Sequence, residues 1–158
     1  FNISNAACAL AAAVEFGVDV DTALAGMHTV TAPAGRFATA TFGTVAARLL
    51  LAKNPAGWAE ALPLAQSDPV VLAIDSVAAD GKDVSWLWDV DYEQLAGRSV
   101  ICTGPRAHDL AVRLDYAGVE HRIEHDLVKA ISSAPVERVD TIATYTPFQA
   151  LLKIAGLR

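Results

Sequence analysis

Val70-Val71-Leu72-Ala73-Ile74, followed by Asp75-Ser76, is the stretch that decides the fold. Five apolar residues run without a polar break and follow a helical stretch, so they read as a parallel strand buried on both faces. The polar pair behind them marks the carboxyl end of that strand. Upstream, Pro55 opens a helix expected over residues 55–66, with proline in its first turn. Before it, residues 37–42 and 45–52 flank Gly43-Thr44 and read as a hairpin. Downstream, strands are expected over 99–103, 122–124 and 141–144, and helices over 106–116, 126–132 and 147–155. Residues 93–96 read as lying near a helix end.

Strands that alternate with helices imply an α/β, Rossmann-like, mostly parallel sheet with helices on both faces. The first hairpin strand supplies an antiparallel edge. Nearer the start, an Ala-rich helix is expected over residues 5–16, ended by Gly17, and a second through His28 capped by Asp19 or Asp21. Residues 29–35, with Pro33 and Gly35, read as a linker, so two domains are expected, 1–32 and 33–158.

Bulk properties exclude several classes. The 158 residues are 53% hydrophobic and 19% charged, which excludes a disordered chain. A net charge of -6, with 12 Lys and Arg and no basic run, argues against a nucleic-acid surface. The longest apolar stretch, Ala7–Val14, is far shorter than the ~20 residues a membrane span needs. Cys8 and Cys102 lie in apolar surroundings and read as buried free thiols. Neither forms a CxxC pair, so no zinc site is expected, and a reduced, cytoplasmic setting fits. Phe1-Asn2-Ile3 lacks both a Met and a basic leader, so the chain reads as an excerpt of a longer one.

Ligands of open α/β sheets bind beyond the carboxyl ends of strands. Four polar segments meet that condition: Lys53-Asn54-Pro55, Asp75-Ser76, Thr103-Gly104-Pro105-Arg106 and Thr144-Tyr145-Thr146-Pro147. Lys53 reads equally as an anion-binding cation beside a helix start or as a plain surface lysine. Residues 80–92 interleave four Asp with Trp86, Trp88 and Tyr92, after Gly81 and Lys82. They read either as aromatic packing with Asp caps or as an acidic, aromatic surface for a partner. His28, His108, His121 and His125 show no metal-ligand spacing. No GxSxG or GxxxxGK[ST] motif is present, which leaves a serine hydrolase or a self-sufficient P-loop ATPase without support.

Several blocks resemble the Mur ligases, and in particular their MurT-type members. Phe1-Asn2-Ile3-Ser4-Asn5-Ala6 resembles the helix that closes the central ATPase domain of Mur ligases, and Gly35-Arg36 the start of their carboxyl-terminal domain. Lys53-Asn54-Pro55-Ala56-Gly57 and the run from Asp80 through Asp83-Val84-Ser85-Trp86-Leu87-Trp88-Asp89 to Glu93 are similar to MurT-specific words. The segments from Gly104 to Gly118 and Thr144-Tyr145-Thr146 continue the match. Two departures stand out: Ala38 replaces a frequent Glu, and Ser76 replaces the usual polar neighbour of Asp75.

The resemblance implies a Mur ligase carboxyl-terminal domain from one subunit of a carbon–nitrogen ligase of peptidoglycan synthesis, with roles in cell-wall biogenesis and cell shape. Such a subunit pairs with GatD, a glutaminase. It uses ATP and Mg²⁺ to activate the α-carboxyl of D-glutamate in the lipid II stem peptide, and ammonia then gives D-isoglutamine. The P-loop and zinc ribbon of the central domain are not in this sequence, so no cofactor is expected on it and the fragment is expected to be inactive alone. The resemblance also implies that an Asp completes the partner's Cys-His-Asp triad. Asp83 and Asp89 both qualify, and a loop position beyond a strand end favours Asp83. It places Arg36, Lys53, Asn54 and Asp75 on the substrate and nucleotide side, and Trp86, Trp88, Asp91 and Tyr92 at the partner interface. The competing reading is a non-catalytic α/β module that binds a ligand or partner, with the Trp pair in its core.

Overall fold

The computed structural model describes residues 3–30 and 36–158. The expected linker residues 31–35 and the Phe1-Asn2 pair lie outside the described residues. The chain divides into two compact units, Phe1–Ala34 and Gly35–Arg158.

The first unit is a pair of helices, α1 (Ile3–Glu15) and α2 (Val20–His28). Asp19 caps α2 by accepting the Thr22 backbone N–H at 3.1 Å, so of the two candidate caps it is the one used. Neither helix buries a residue. Cys8, expected to be buried, is therefore exposed, because no apolar surface covers its side of the short helix pair.

The second unit is a six-stranded sheet in the order β1-β2-β6-β3-β4-β5. Its strands are β1 (Phe37–Phe42), β2 (Val45–Leu51), β3 (Val70–Ala73), β4 (Val100–Thr103), β5 (His121–Ile123) and β6 (Arg138–Ala143). Only β1 and β2 are antiparallel, with Phe42 opposite Val45 around a Gly43 at φ 63°. Every residue of β3 and of β4 is buried, which is why these strands carry no polar alternation. Successive β3 side chains feed opposite cores: Val70 and Leu72 one, Val71 and Ala73 the other.

The first core holds α3 (Pro55–Ala61), residues 84–95 and α4 (Ala107–Tyr116) against the sheet; the second holds α5 (Leu127–Ser132) and α6 (Tyr145–Ile154). Trp58, Tyr92 and Phe148 are the largest fully enclosed side chains. Burying side chains of this kind contributes about 1.5–3 kcal/mol each.

Among the boundaries that differ from expectation, β6 starts three residues early, at Arg138, and two helix boundaries have a clear physical reason. The helix expected over 55–66 stops at Ala61 and tightens into a 3-10 turn, Leu62–Leu64, because Pro63 has no N–H to donate and its ring crowds the preceding turn. The last helix begins at Tyr145, two residues before Pro147, because a distant side chain caps it.

Candidate functional site

The strand order makes β2, β6, β3 and β4 consecutive parallel neighbours, so their carboxyl ends form one row. Backbone bonds carry the pairing just past each strand: Ala52 N–H to Ala143 C=O at 3.0 Å, Thr144 N–H to Ala73 C=O at 2.9 Å, and Ile74 N–H to Thr103 C=O at 3.0 Å. The four polar segments singled out in the sequence are thus adjacent along one edge.

Each segment has a local reason for its residues. At the β2 end, Asn54 accepts the Gly57 N–H at 2.9 Å and caps α3, while Lys53 projects exposed beside it. Arg36 is also exposed, and its backbone carbonyl takes the Leu51 N–H at 3.0 Å, so the hairpin sets Arg36 close to the same strand end. At the β6 end, the Thr144 hydroxyl accepts the Asp75 backbone N–H at 3.0 Å, which stitches the β6 and β3 ends together. Asp75 is half-buried, and its carboxylate accepts the Ser76 N–H at 2.7 Å. At the β4 end, Gly104 has φ 89°, and a Cβ there would lie 2.5 Å from the Ile74 carbonyl oxygen. Only glycine allows this approach.

The acidic, aromatic segment leaves the β3 end of this row. Asp80 opens it, buried at 5% exposure, with one carboxylate oxygen accepting the Thr146 N–H at 2.8 Å and the other buried without a partner. Gly81, at φ 89°, turns the chain outward. Asp83 is then fully exposed, and its two oxygens accept the Ser85 N–H at 2.8 Å and the Ser85 hydroxyl at 3.0 Å. These bonds, the backbone one foremost, hold its carboxyl below the ordinary range. Residues Ser85–Asp89 and Tyr92–Leu95 form 3-10 turns. Asp89 is exposed, and among the described residues its carboxylate has no hydrogen bond or ion pair; Asp91 is exposed as well.

The aromatics divide. Tyr92 is fully enclosed, edge-on to Trp58 at 5.7 Å, so it is a core residue; the expectation that it meets a partner is corrected, since the 3-10 turn directs its ring inward onto α3. Burial raises its hydroxyl's pKa, so it stays protonated. Trp86 is half-buried against Trp58, 6.1 Å between centroids. Trp88 is 53% exposed, with Tyr116 of α4 edge-on at 5.2 Å.

Sequence reasoning missed three groups. Asp80 and the Thr144 hydroxyl act through tertiary contacts that no local pattern signals. Arg113 is buried under the aromatic segment, donates to the Val90 carbonyl at 2.8 Å and to Glu93 at 2.9 Å, and lies 5.7 Å from the Trp88 ring and 5.5 Å from the Tyr92 ring. The hydrogen bond from Arg113 holds the Glu93 carboxyl below its usual range. His108 and His125, 17 residues apart in sequence, come together with ring centroids 5.3 Å apart. Among the described residues no three His, Cys, Asp or Glu side chains gather as a metal site.

The opposite edge is occupied by structural bonding. A cavity of about 390 Å³ there is lined by Arg48, Ser67, Arg138 and Asp140, among others. The Asp140 carboxylate is filled by Arg48 Nε at 2.6 Å and by the Gln66 and Ser67 N–H groups at 2.6 and 3.0 Å, which fasten the 3-10 exit of α3 to β6.

The family model described as MurT ligase C-terminal matches residues 51–148. The chain belongs to this family. The matched span contains all four polar strand-end segments and the whole of residues 80–93; Arg36 lies outside it. Lipid II isoglutaminyl synthase (glutamine-hydrolyzing) subunit MurT of Staphylococcus aureus is 34% identical over 164 aligned positions, covering 97% of this chain and 38% of that protein. The subunit of the same name from Streptococcus pneumoniae is 30% identical, covering 92% of this chain and 36% of that protein. The chain therefore spans little more than a third of the relatives it matches. UDP-N-acetylmuramate-alanine ligase MurC from Thermotoga maritima shares the fold, with a TM-score of 0.62 at 14% identity over 99% of this chain and 38% of that one. The Mur ligase likeness read from sequence thus holds for the fold, and the MurT likeness for the family. No described helix is long and apolar enough to cross a membrane.

Proposed function

We propose that this chain is the carboxyl-terminal part of a MurT-type synthetase subunit that works with a GatD-type glutaminase in the cytoplasm. The assembled enzyme converts the D-glutamate α-carboxyl of lipid II to the amide of D-isoglutamine during peptidoglycan synthesis. ATP and Mg²⁺ are handled by the remainder of the subunit, where they supply phosphoryl activation of the carboxylate. The row of strand ends, with Arg36, Lys53, Asn54 and Asp75, forms a wall on the substrate side. Its exposed cations offset the negative charge of phosphorylated or carboxylate groups.

The observation that carries the reading is the Asp83 carboxylate. It is exposed, clamped by Ser85 through two hydrogen bonds, and kept ionised, and each oxygen retains a free lone pair. A carboxylate so fixed can accept the Nδ1–H of a partner's histidine, hold that ring in the tautomer that takes the thiol proton from a cysteine, and stabilise the imidazolium that results. Asp89 has an uncommitted carboxylate but nothing to orient it, which places it second.

The test uses the full-length subunit with its glutaminase. Asp83→Asn is expected to lower glutamine hydrolysis by at least tenfold and up to the order of 10⁴, the loss seen when a triad carboxylate becomes an amide. Asp89→Asn is expected to change it by less than about threefold, the fold-change of a fraction of a kcal/mol. Normal hydrolysis by both variants would sink the triad assignment.

A further inference from the structure

Asp80 is not catalytic by position. It is buried, and it stands three residues before Asp83 with the turn at Gly81 between them. Its bonding nonetheless differs from that of every other acid in the segment. One oxygen accepts the N–H of Thr146, in the first turn of α6, 66 residues away in sequence. Thr144, the residue that starts α6, makes no side-chain cap of its own; its hydroxyl instead takes the Asp75 N–H at the β3 end. Two reciprocal bonds therefore join the β3 exit to the β6 exit, one at each end of residues 75–80. Asp75 is tied down by Thr144, and Asp80 by Thr146. The intervening Val77, Ala78 and Ala79 are exposed and offer little packing to hold the loop otherwise. From Asp80 outward, Lys82 and Asp83 are exposed too, and packing resumes only at Val84.

We infer that Asp80 is a positioning residue: its bond to the start of α6 sets where the Asp83 carboxylate stands, and so couples the partner-facing loop to the substrate-side strand ends. The inference rests on the assignment of Asp83 as the carboxylate that meets the partner's histidine. The Asp80 bond supplies two things that a merely exposed loop lacks. It satisfies an N–H at the start of α6 that has no partner within the helix. It also fixes one end of the Asp83 loop to a rigid element, so that the carboxylate arrives in place without first being ordered.

Shape and charge make opposite demands on substitutions, and this separates the two roles. Asp80→Asn keeps the accepting oxygen in place and removes the charge. Asp80→Glu keeps the charge and lengthens the arm by one methylene, which shifts either the loop or the helix start. In the full-length subunit with its glutaminase, Asp80→Asn is expected to keep at least a third of the glutamine-hydrolysis kcat. Asp80→Glu is expected to lose at least fivefold in kcat, with KM for glutamine within about twofold, because glutamine binds on the partner. Asp80→Ala is expected to lose at least as much as the Glu variant; the Asn and Glu pair decides the matter where Ala does not fold. Wild-type kcat in Asp80→Glu, or a loss in Asp80→Asn as deep as in Asp80→Glu, overturns the inference. Asp83→Asn, assayed alongside, separates the two failures. If Asp83→Asn abolishes hydrolysis while Asp80→Glu leaves it intact, only the positioning role falls. If Asp83→Asn hydrolyses glutamine normally, the assignment of Asp83 falls and this inference with it.

Discussion

Single residues at the strand ends are constrained by different physics. Gly104 is fixed by geometry: its φ of 89° and the Ile74 carbonyl 2.5 Å from an added Cβ leave no room for a side chain. Gly104→Ala is therefore expected to cost roughly 1–3 kcal/mol or more, from left-handed strain and a backbone shift. A urea-unfolding midpoint that does not move would contradict this. Lys53 is held by no fold contact of this kind: it stands exposed at the β2 end, beside the Asn54-capped start of α3. Cys102 shows how burial acts on a group with no partner. Its thiol, enclosed in β4, is pushed up to about 12 and stays protonated and unreactive at neutral pH. The two tryptophans treated together in the sequence part company, because their rings leave the same 3-10 turn on different sides: Trp86 packs on Trp58 and Trp88 faces solvent.

At the scale of elements, residues 84–95 do the work of a crossover helix without being one. They cover β3 and β4 with two 3-10 turns whose buried residues are Leu87, Tyr92 and Leu95. Short 3-10 turns have poor hydrogen-bond geometry, so the segment needs support from outside. Arg113 of α4 provides it, bridging Val90 and Glu93 while its guanidinium lies near two aromatic rings. A lysine keeps the charge but not the planar, forked donor set. Arg113→Lys is therefore expected to destabilise the fold by about 1–2 kcal/mol in urea unfolding and to raise acrylamide quenching of Trp88. Unchanged stability together with unchanged quenching would remove Arg113 from this role. The hairpin and the starts of α3 and α5 were legible because their turn and first-turn residues act within a few positions: Gly43 between β1 and β2, Pro55 in the first turn of α3 and Asp126 before α5.

At the scale of the whole molecule, both apolar cores are built entirely from residues after Arg36, and none of the described residues before it is buried. Deleting residues 1–34 is accordingly expected to leave residues 35–158 folded, with a thermal midpoint within a few degrees of the parent by circular dichroism. A drop of more than about 10 °C, which for a domain of this size corresponds to several kcal/mol, would mean that the first unit contributes to the core. The sequence by itself determined the α/β class, the antiparallel first strand, the polar strand ends and the family, because apolar periodicity, turn residues and rare local words are properties of neighbours along the chain. Those signals act over a few residues, so they could nominate Asp83 and Asp89 and favour Asp83 by its loop position alone, and they set Tyr92 with the surface aromatics. Tertiary structure decided the rest: which strands are adjacent, that Tyr92 faces inward, and that Asp80 holds the start of α6. Each of these depends on groups tens of residues apart in sequence meeting in space, and that meeting is fixed only once the sheet order closes.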